Sequence, residues 1–414
     1  MKAEIIAIGS EMLTPFRQDT NSLYVTEKLN TLGVVVAFKT IVGDRRKDLE
    51  GAIRTALGRV DVLVIMGGLG PTEDDLTREA VGEALGLELH REDALIEALK
   101  QRAKSWAMPM PENNLKQADV LEGALVLPNP NGSAVGQWLD TTYESFRKLV
   151  MLLPGPPHEC KPLFDAECLP RLKRALPSYT MAKRTLRAAM LPESQADKLL
   201  APIYQEYEDV ETTILAHSGD IQLTVQCVKA DADEAGERVD ELASRLEEAL
   251  GDWLYSSDGE SLEQIVLYYL GLRQVTLATA ESCTGGMVAA RITDVPGASR
   301  SFLGGAVVYT NALKTAFADV PAELIAAHGA VSAEVTKALA EGIRKRTGAT
   351  LGLAVTGFAG PGGGTETQPV GLVYVALADG QKTEVFDRNF RGDRLRVREW
   401  ASQMALDLVR RRLM

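Results

Sequence analysis

The chain has 414 residues, of which 45% are hydrophobic and 25% charged, a composition that is ordinary for a soluble globular protein and allows several cores. Its formal net charge of -12 argues against direct binding to nucleic acid, because phosphate contacts require clustered lysine and arginine. The four scattered cysteines, the missing signal-peptide pattern and the lack of an apolar run of about 20 residues lead us to expect a cytoplasmic protein with free thiols and no membrane contact.

The first part of the chain, residues 1–170, alternates strand-like apolar runs with helical patterns. Buried strands are predicted at 3–9, 34–38, 61–66 and 148–153, and a helix near 21–32. Continuous apolar strands separated by amphipathic helices are typical of a sheet that is covered on both faces. We therefore predict an α/β domain over residues 1–170.

The middle part, residues 175–255, has a different pattern. A helix near 194–207 precedes two strands at 211–216 and 221–228, which are joined by a turn typical of a hairpin. A strongly charged helix is predicted from about 233 to 250. This pattern indicates a small α+β module without evident chemistry, in which His217 is interpreted as a turn residue rather than a ligand.

The third part, residues 258–414, predicts a second α/β domain. A strand at 275–280 runs into residues 281–286, where a helix is expected to begin. Further strands are predicted at 305–309, 350–355, 371–378 and 383–390. A final helix over about 394–411 has apolar residues on one face.

A glycine-rich motif follows the strand at 61–66, where open α/β sheets bind ligands. Gly67, Gly68 and Gly70 allow backbone amides to approach an anion closely. Among the acidic residues that follow, Asp74 and Asp75 could hold a divalent cation that bridges phosphates. The alternative is a tight loop with a solvated acidic tail.

Two further segments favour a site at the same edge of the sheet. Ser10 and Glu11 follow the first strand, and Pro154–Glu159 follows a later one. The polar loop Asn131–Ala134 either adds to the site or is a plain turn.

The strongest motif places Ser282 at the junction between a strand and a helix. A serine there is exposed to substrate, and the first amides of the helix could stabilise an oxyanion. From spacing alone, Ser282 could equally be a helix N-cap. The neighbouring Cys283 is a rival nucleophile because thiols are intrinsically more reactive.

A serine nucleophile needs a base that accepts its proton. The last part of the chain has a single histidine, His328, which is predicted to lie in a turn. Lys314 is the alternative, because a desolvated lysine loses its proton near neutral pH. Tyr309 could relay a proton or donate one to the leaving group.

A second glycine-rich loop follows the strand at 350–355 and indicates backbone wrapped around a ligand, although a merely flexible loop is the alternative. Beyond it, Arg391 and Arg394 could grip a substrate phosphate. They could instead stabilise a dimer. The residues of this region that we expect to contact substrate are Thr356, Gly357, Gly360, Gly362, Arg391 and Arg394.

These motifs carry a family resemblance. The segments 67–72 and 154–159 with Asp74 and Asp75 are similar to the molybdopterin-binding fold of the MoaB and MogA group. The segments 282–286 and 309–311 with Lys314 resemble the signature of the CinA deamidase domain. The whole chain resembles the CinA family, also called competence/damage-inducible protein A, although this family usually has an aliphatic residue where Phe358 stands.

The resemblance implies a three-domain enzyme of pyridine-nucleotide salvage. Its MoaB/MogA-like domain would hydrolyse ADP-ribose with a divalent metal held by Asp74 and Asp75. Its middle domain would have a KH-like fold, and its C-terminal domain would deamidate nicotinamide mononucleotide without a cofactor. In that domain Ser282 would be the nucleophile, assisted by Lys314 and Tyr309.

The resemblance also extends the set of expected substrate contacts, and we expect a homodimer. Two other classes of function stay open: a molybdopterin-binding protein, and a non-enzymatic accessory protein in competence or DNA damage. The added contacts are Thr284, Gly285, Gly286 and Asn311 in the C-terminal domain, and Ser10, Glu11, Gly67, Gly68 and Gly70 in the N-terminal domain.

Overall fold

The structure is a computed structural model that describes residues 1–105, 110–177 and 179–414. The chain divides into two compact units. The first comprises residues 1–182 with 228–235, and the second comprises residues 183–227 with 236–414. None of the helices in the described ranges is long and apolar enough to cross a membrane.

The first unit is built on a sheet of six strands, with a separate two-stranded ribbon. Its strands are β1 (Lys2–Ile8), β2 (Val35–Val42), β3 (Val62–Met66), β4 (Leu89–Arg91), β5 (Asp119–Leu121), β6 (Leu125–Leu127), β7 (Gly136–Tyr143) and β8 (Phe146–Leu153). Its helices are α1 (Asn21–Asn30), α2 (Arg46–Leu57), α3 (Thr77–Leu85), α4 (Asp93–Ser105), α5 (Pro157–Leu163) and α6 (Leu169–Ala175).

The strand order of the large sheet is β2-β1-β3-β8-β7-β6. The first four strands of this order are parallel, and β7 and β6 are antiparallel to their neighbours. Consecutive residues of β1 pack on opposite faces of the sheet: Ile5 belongs to one apolar cluster and Ile6 to another. The predicted α/β domain with a sheet covered on both faces is therefore confirmed.

The middle module consists of four strands and two helices: β9 (Thr180–Ala189), α7 (Glu193–Tyr204), β10 (Glu211–His217), β11 (Asp220–Lys229), α8 (Ala232–Leu250) and β12 (Leu254–Ser256). The strand order is β10-β11-β9-β12, in which β10 pairs antiparallel with β11 and β12 pairs antiparallel with β9. The sequence predicts β10 and β11 but misses β9 and β12. In β9 the apolar residues are interrupted by Arg184 and Arg187, which form ion pairs with Glu247 and Asp220.

The C-terminal part contains a five-stranded sheet with the order β14-β13-β15-β16-β17. Strands β14, β13 and β15 are parallel, so their carboxyl ends meet at one edge, whereas β16 and β17 are antiparallel. The elements are α9 (Leu262–Leu272), β13 (Leu277–Glu281), α10 (Met287–Thr293), β14 (Phe302–Val307), α11 (Asn311–Ala318), α12 (Ala322–His328), α13 (Ala333–Thr347), β15 (Leu351–Gly357), β16 (Leu372–Ala378), β17 (Thr383–Asn389) and α14 (Arg394–Leu413).

Two local predictions in this part are wrong. The helix after β13 begins at Met287 rather than within 281–286, because Gly285 and Gly286 have positive φ angles of 61° and 93° and keep the chain non-helical. Gly286, not Ser282, is therefore the residue at the helix N-cap. His328 ends α12 instead of lying in a turn.

Candidate active site

Ser282 begins a loop, residues 282–286, that we call the serine loop. Its amide donates to the Val355 carbonyl of neighbouring β15 at 2.9 Å, and this bond ties the loop to the sheet. Only 7% of Ser282 is exposed. The carboxyl end of β13 thus holds the serine at the edge where β14 and β15 also end.

The carboxylate of Glu281, the last residue of β13, occupies the N-terminus of α10. It is buried and accepts hydrogen bonds from the amides of Gly286 (3.0 Å), Val288 (3.0 Å) and Ala289 (2.8 Å). The expectation that the first amides of this helix stabilise an oxyanion is therefore wrong for these three groups. Glu281 is a functional residue that local pattern does not reveal, although an acid beside a helix N-terminus is electrostatically favoured.

The amides of Cys283 and Thr284 directly follow the Ser282 amide and are better candidates for contacts with an oxyanion. Within the described ranges, neither amide donates to a backbone carbonyl, although both face the Cys283 thiol and counteract the rise of its pKa. Thr284 is fully buried, and its hydroxyl has no hydrogen-bond partner among these residues. Two adjacent backbone donors beside a serine are suited to an oxyanion.

Lys314 lies in α11 and reaches back to the serine loop. Its ammonium donates to the Ser282 Oγ at 3.3 Å and to the Val308 carbonyl at 3.1 Å. Only 2% of the residue is exposed, and this burial lowers the pKa of Lys314. A neutral Lys314 would reverse the first contact, so that the serine hydroxyl donates to the amine.

The rival nucleophile Cys283 points into a hydrophobic core. It is 4% exposed and packs in the same apolar cluster as Val288 and Ile292. Burial raises the pKa of the Cys283 thiol to about 12, so it stays protonated and unreactive near neutral pH. The structure therefore favours Ser282 over its neighbour on chemical grounds.

Two arginines of α14 connect the elements around the serine. Arg394 donates to the Tyr309 hydroxyl at 2.7 Å and to the Gly360 carbonyl at 2.8 Å. Arg398, one helical turn later, donates to the Thr284 carbonyl at 2.7 Å. Its Nε is buried and has no hydrogen-bond partner in the described part of the chain. Arg398 follows Arg394 by four positions, which places both side chains on one face of the helix.

The other predicted substrate contacts of this region range from buried to exposed positions. The Thr356 hydroxyl is hydrogen-bonded to that of Thr336 at 2.6 Å, and Gly357 is partly buried at the end of β15. Exposed positions are occupied by Asn311, Gly362 and Arg391, for which a substrate contact stays a prediction.

The first unit has a separate cavity of about 640 Å³ at the carboxyl edge of its sheet. Gly67, at a φ of 105°, allows close packing here, because a Cβ would lie 2.5 Å from the Ile8 carbonyl oxygen. Ser10 pairs with Asp44, to which its amide donates at 2.7 Å. Among the predicted residues, those that line the cavity are Glu11, Gly67, Gly68, Gly70, Asp74 and Asp75.

The two predicted metal ligands share one hydroxyl group. The Thr72 hydroxyl hydrogen-bonds with the carboxylates of Asp74 and Asp75, and this bond lowers the pKa of Asp74. Among the described residues, no group of three or more His, Cys, Asp and Glu side chains could hold a metal ion. Two carboxylates fit a Mg²⁺ ion that is bound jointly with substrate phosphates, rather than an all-protein cage.

A buried arginine that the sequence analysis missed supports the glycine loop of this cavity. Arg78 is fully buried and donates to the Leu69 carbonyl at 2.5 Å. Its Nε and Nη1 have no partner in the ranges that the structure covers, and burial lowers the pKa of Arg78. The sequence pattern does not predict the burial of Arg78 in α3, because a charged residue in a helix is usually solvated.

Three family models match the chain and together define a class of three-domain proteins. The model of a probable molybdopterin binding domain matches residues 4–174. The model of the damage-inducible protein CinA KH domain matches residues 183–256, and that of the CinA C-terminal domain matches residues 259–413.

Whole-chain relatives agree with these matches. The CinA-like protein of Acidobacterium capsulatum is 62% identical over 414 residues, and that of Koribacter versatilis is 53% identical over 413 residues; each alignment covers 100% of both chains. The crystal structure of competence/damage inducible protein CihA from Agrobacterium tumefaciens is 34% identical and covers 36% of this chain and 90% of its own, with a TM-score of 0.35. The chain belongs to the CinA family, and the predicted three-part architecture is confirmed.

Proposed function

We propose that the C-terminal part of this protein deamidates nicotinamide mononucleotide to nicotinic acid mononucleotide and ammonia. One observation carries the proposal: the Lys314 amine lies 3.3 Å from the Ser282 hydroxyl in a buried site. A buried lysine with a lowered pKa is a base, and a serine beside such a base is a nucleophile. This pair is suited to acyl transfer from a primary carboxamide.

In the first step, neutral Lys314 accepts the hydroxyl proton of Ser282 while the serine oxygen bonds to the carboxamide carbon. The carbonyl electron pair moves onto oxygen, where the amides of Cys283 and Thr284 would stabilise the charge. The tetrahedral intermediate then loses its C–N bond, and the nitrogen leaves with a proton as ammonia.

Two groups could protonate the leaving nitrogen: the Lys314 ammonium formed in the first step, and the Tyr309 hydroxyl. Because the tyrosine oxygen accepts its hydrogen bond from Arg394, the hydroxyl proton stays free to be donated. Water then attacks the acyl-enzyme with Lys314 again as base, which releases the carboxylate and restores Ser282. The overall reaction consumes one water and needs no oxidant or cofactor.

The phosphate of the substrate is assigned to the arginine face of α14. The amides at the start of α10, which could bind an anion, already donate to Glu281. Arg394 and Arg398 lie one turn apart on α14 and bind the Gly360 and Thr284 carbonyls, and the buried Nε of Arg398 has no partner within the described residues. Arginine binds phosphate in a bidentate way, so these side chains fit that role.

An ammonia-release assay on the purified chain tests the proposal. Nicotinamide mononucleotide should be turned over, and nicotinamide riboside, which lacks the phosphate, should react much more slowly. Ser332→Ala is the matched control for Ser282→Ala, because Ser332 caps α13 and donates its hydroxyl to the Gly329 carbonyl, and neither contact involves Ser282 or Lys314. A folded wild-type protein that releases no ammonia would contradict the assignment.

A second activity, hydrolysis of the pyrophosphate of ADP-ribose, is proposed for the cavity of the first unit. The support is its volume of about 640 Å³, its close-packed glycines and the paired carboxylates of Asp74 and Asp75. A divalent cation would neutralise the pyrophosphate charge there. The glycine loop would position the phosphates through its amides, and the carboxylates would hold the ion. Release of AMP from ADP-ribose in the presence of Mg²⁺ tests this, with cation-free protein as the control.

A further inference from the structure

The hairpin turn of the middle module (His217–Asp220), which joins β10 and β11, packs against α14. The Ser218 hydroxyl donates to the carboxylate of Glu399. The Gly219 carbonyl accepts a hydrogen bond from the Gln403 amide at 3.4 Å. Gly219 also has a φ of 84°, and a Cβ on it would lie 2.8 Å from the Trp400 ring. Backbone and side chains of the turn thus contact one face of the helix.

The same helix supplies the arginines of the candidate active site. Arg394 and Arg398 lie in its first two turns, directly before the residues that contact the hairpin turn. Arg398 supports the serine loop through the Thr284 carbonyl, and Arg394 donates to the Tyr309 hydroxyl and to the Gly360 carbonyl. A small shift of the helix start would therefore move several groups of the site together.

A second connection links the hairpin turn to the helix that follows the serine loop. Gln403 donates to Gly219, and its side-chain carbonyl accepts from Arg291 of α10 at 2.7 Å. Arg291 also donates to Ser402 at 2.8 Å and pairs with Glu263. Gln403 is 3% exposed, so its two bonds form in a low-dielectric environment where they are not exchanged with water.

We infer that the hairpin turn is a positioning element of the deamidase site. It contributes no group to the chemistry, but it sets the position of α14 and thereby of Arg394 and Arg398 relative to the serine loop. The middle module then belongs functionally to the C-terminal domain. This inference rests on the proposed deamidase function, because its kinetic consequence is a change in binding of the phosphorylated substrate.

The test compares two glycine variants in the full-length chain. Gly219→Ala introduces a Cβ against Trp400 at a positive φ of 84°. Gly297→Ala is the matched control: its φ is 85°, but a Cβ there meets no atom of the described residues within 4 Å. Both variants carry similar backbone strain, so they differ in the close contact between the added Cβ and Trp400 of α14.

For Gly219→Ala we expect KM for nicotinamide mononucleotide to rise roughly tenfold, with a smaller change in kcat, because misplacement of binding groups by about 1 Å has large kinetic effects. Gly297→Ala should leave KM within about twofold of wild type. Glu399→Leu, which removes the acceptor of the Ser218 hydroxyl, should raise KM, and Glu399→Gln, which keeps an acceptor, should restore it. Equal KM values for the two alanine variants would overturn the inference.

Hydrogen–deuterium exchange gives a readout that does not depend on activity. Amides at the start of α14 should exchange faster in Gly219→Ala than in wild type, and not in Gly297→Ala. If wild-type protein releases no ammonia, the proposed function fails, and the exchange measurement still decides whether the hairpin turn positions the helix. Unchanged exchange in Gly219→Ala would overturn the inference whatever the activity.

Discussion

Replacing Lys314 by methionine tests the proposed mechanism most directly. The substitution keeps the apolar stem of a residue that is 2% exposed and removes the amine that lies 3.3 Å from the serine oxygen. A general base contributes about 10²–10⁴-fold to a rate, so we expect ammonia release to fall by at least about 10²-fold. Lys337→Met is the matched control, because Lys337 has 55% side-chain exposure on α13 and should leave the rate unchanged.

The pH dependence of the wild-type rate has a definite sign. Burial lowers the pKa of Lys314, and only the neutral amine can accept the serine proton. The rate should therefore rise with pH through the pKa of the folded state and fall on acidification. In Lys314→Met the residual rate should lack this acidic decline.

Stability should change in a related way. Because the pKa of Lys314 is lower in the folded than in the unfolded chain, the unfolded chain binds more protons between the two values. The contribution of this residue to stability is thus present above the unfolded pKa of about 10.4 and is lost as pH falls through the folded pKa. Methionine abolishes this dependence but also removes the hydrogen bond to the Val308 carbonyl, which contributes about 1 kcal/mol.

Thermal denaturation of both proteins between pH 6 and pH 10 would measure this effect. The melting temperature of Lys314→Met relative to wild type should increase steadily as the pH is lowered. Two results would refute the reasoning: ammonia release within tenfold of wild type, or an unchanged acidic decline of the residual rate. Either would mean that another group accepts the serine proton.

The remaining predictions concern both candidate sites. Ser282→Ala should abolish ammonia release. Cys283→Ala, which removes a buried thiol, should keep ammonia release but lower the melting temperature. If instead Cys283→Ala is inactive and Ser282→Ala is active, the thiol is the nucleophile. Asp75→Asn should lower AMP release from ADP-ribose about tenfold or more and leave ammonia release unchanged, and an equal loss of both would indicate a structural role. Gly68→Ala should lower the free energy of unfolding by about 1 kcal/mol or more and remove most AMP release, because the φ of Gly68 is 64° and a Cβ would lie 2.2 Å from the Thr77 hydroxyl. An unchanged free energy of unfolding in denaturant would mean that the loop rearranges around the added methyl group.

The sequence by itself determined the class of fold and the places where chemistry can occur. Uninterrupted apolar runs such as that of β3 predict strands that are buried on both faces, and the burial of all five residues of β3 follows from this. Polar or glycine-rich segments after such strands predict sites at the carboxyl edge of a sheet. The positions of Ser282 and of the glycine loop after Met66 could therefore be predicted from local pattern.

Local pattern is less informative where polar residues form a strand or a cap. The sequence does not predict β9, because its arginines interrupt the apolar alternation, and only their partners in other elements explain their partial burial. The sequence predicts too early a start for α10, because nothing in it shows that Glu281 turns back onto the helix amides. Both errors concern side chains whose ion-pair or hydrogen-bond partners depend on the tertiary structure.

Only the tertiary structure decided which residues meet at the candidate active site. Ser282 and Lys314 are separated by 32 positions, and they come within hydrogen-bond distance because β13 and β14 are adjacent parallel strands. The burial that lowers the pKa of the lysine depends on the packing of α11, which no local pattern encodes. Likewise, Arg398 reaches the serine loop across 114 positions because α14 packs beside α10. Sequence places chemical groups at strand ends, but the sheet order and the packing of distant helices bring them into contact.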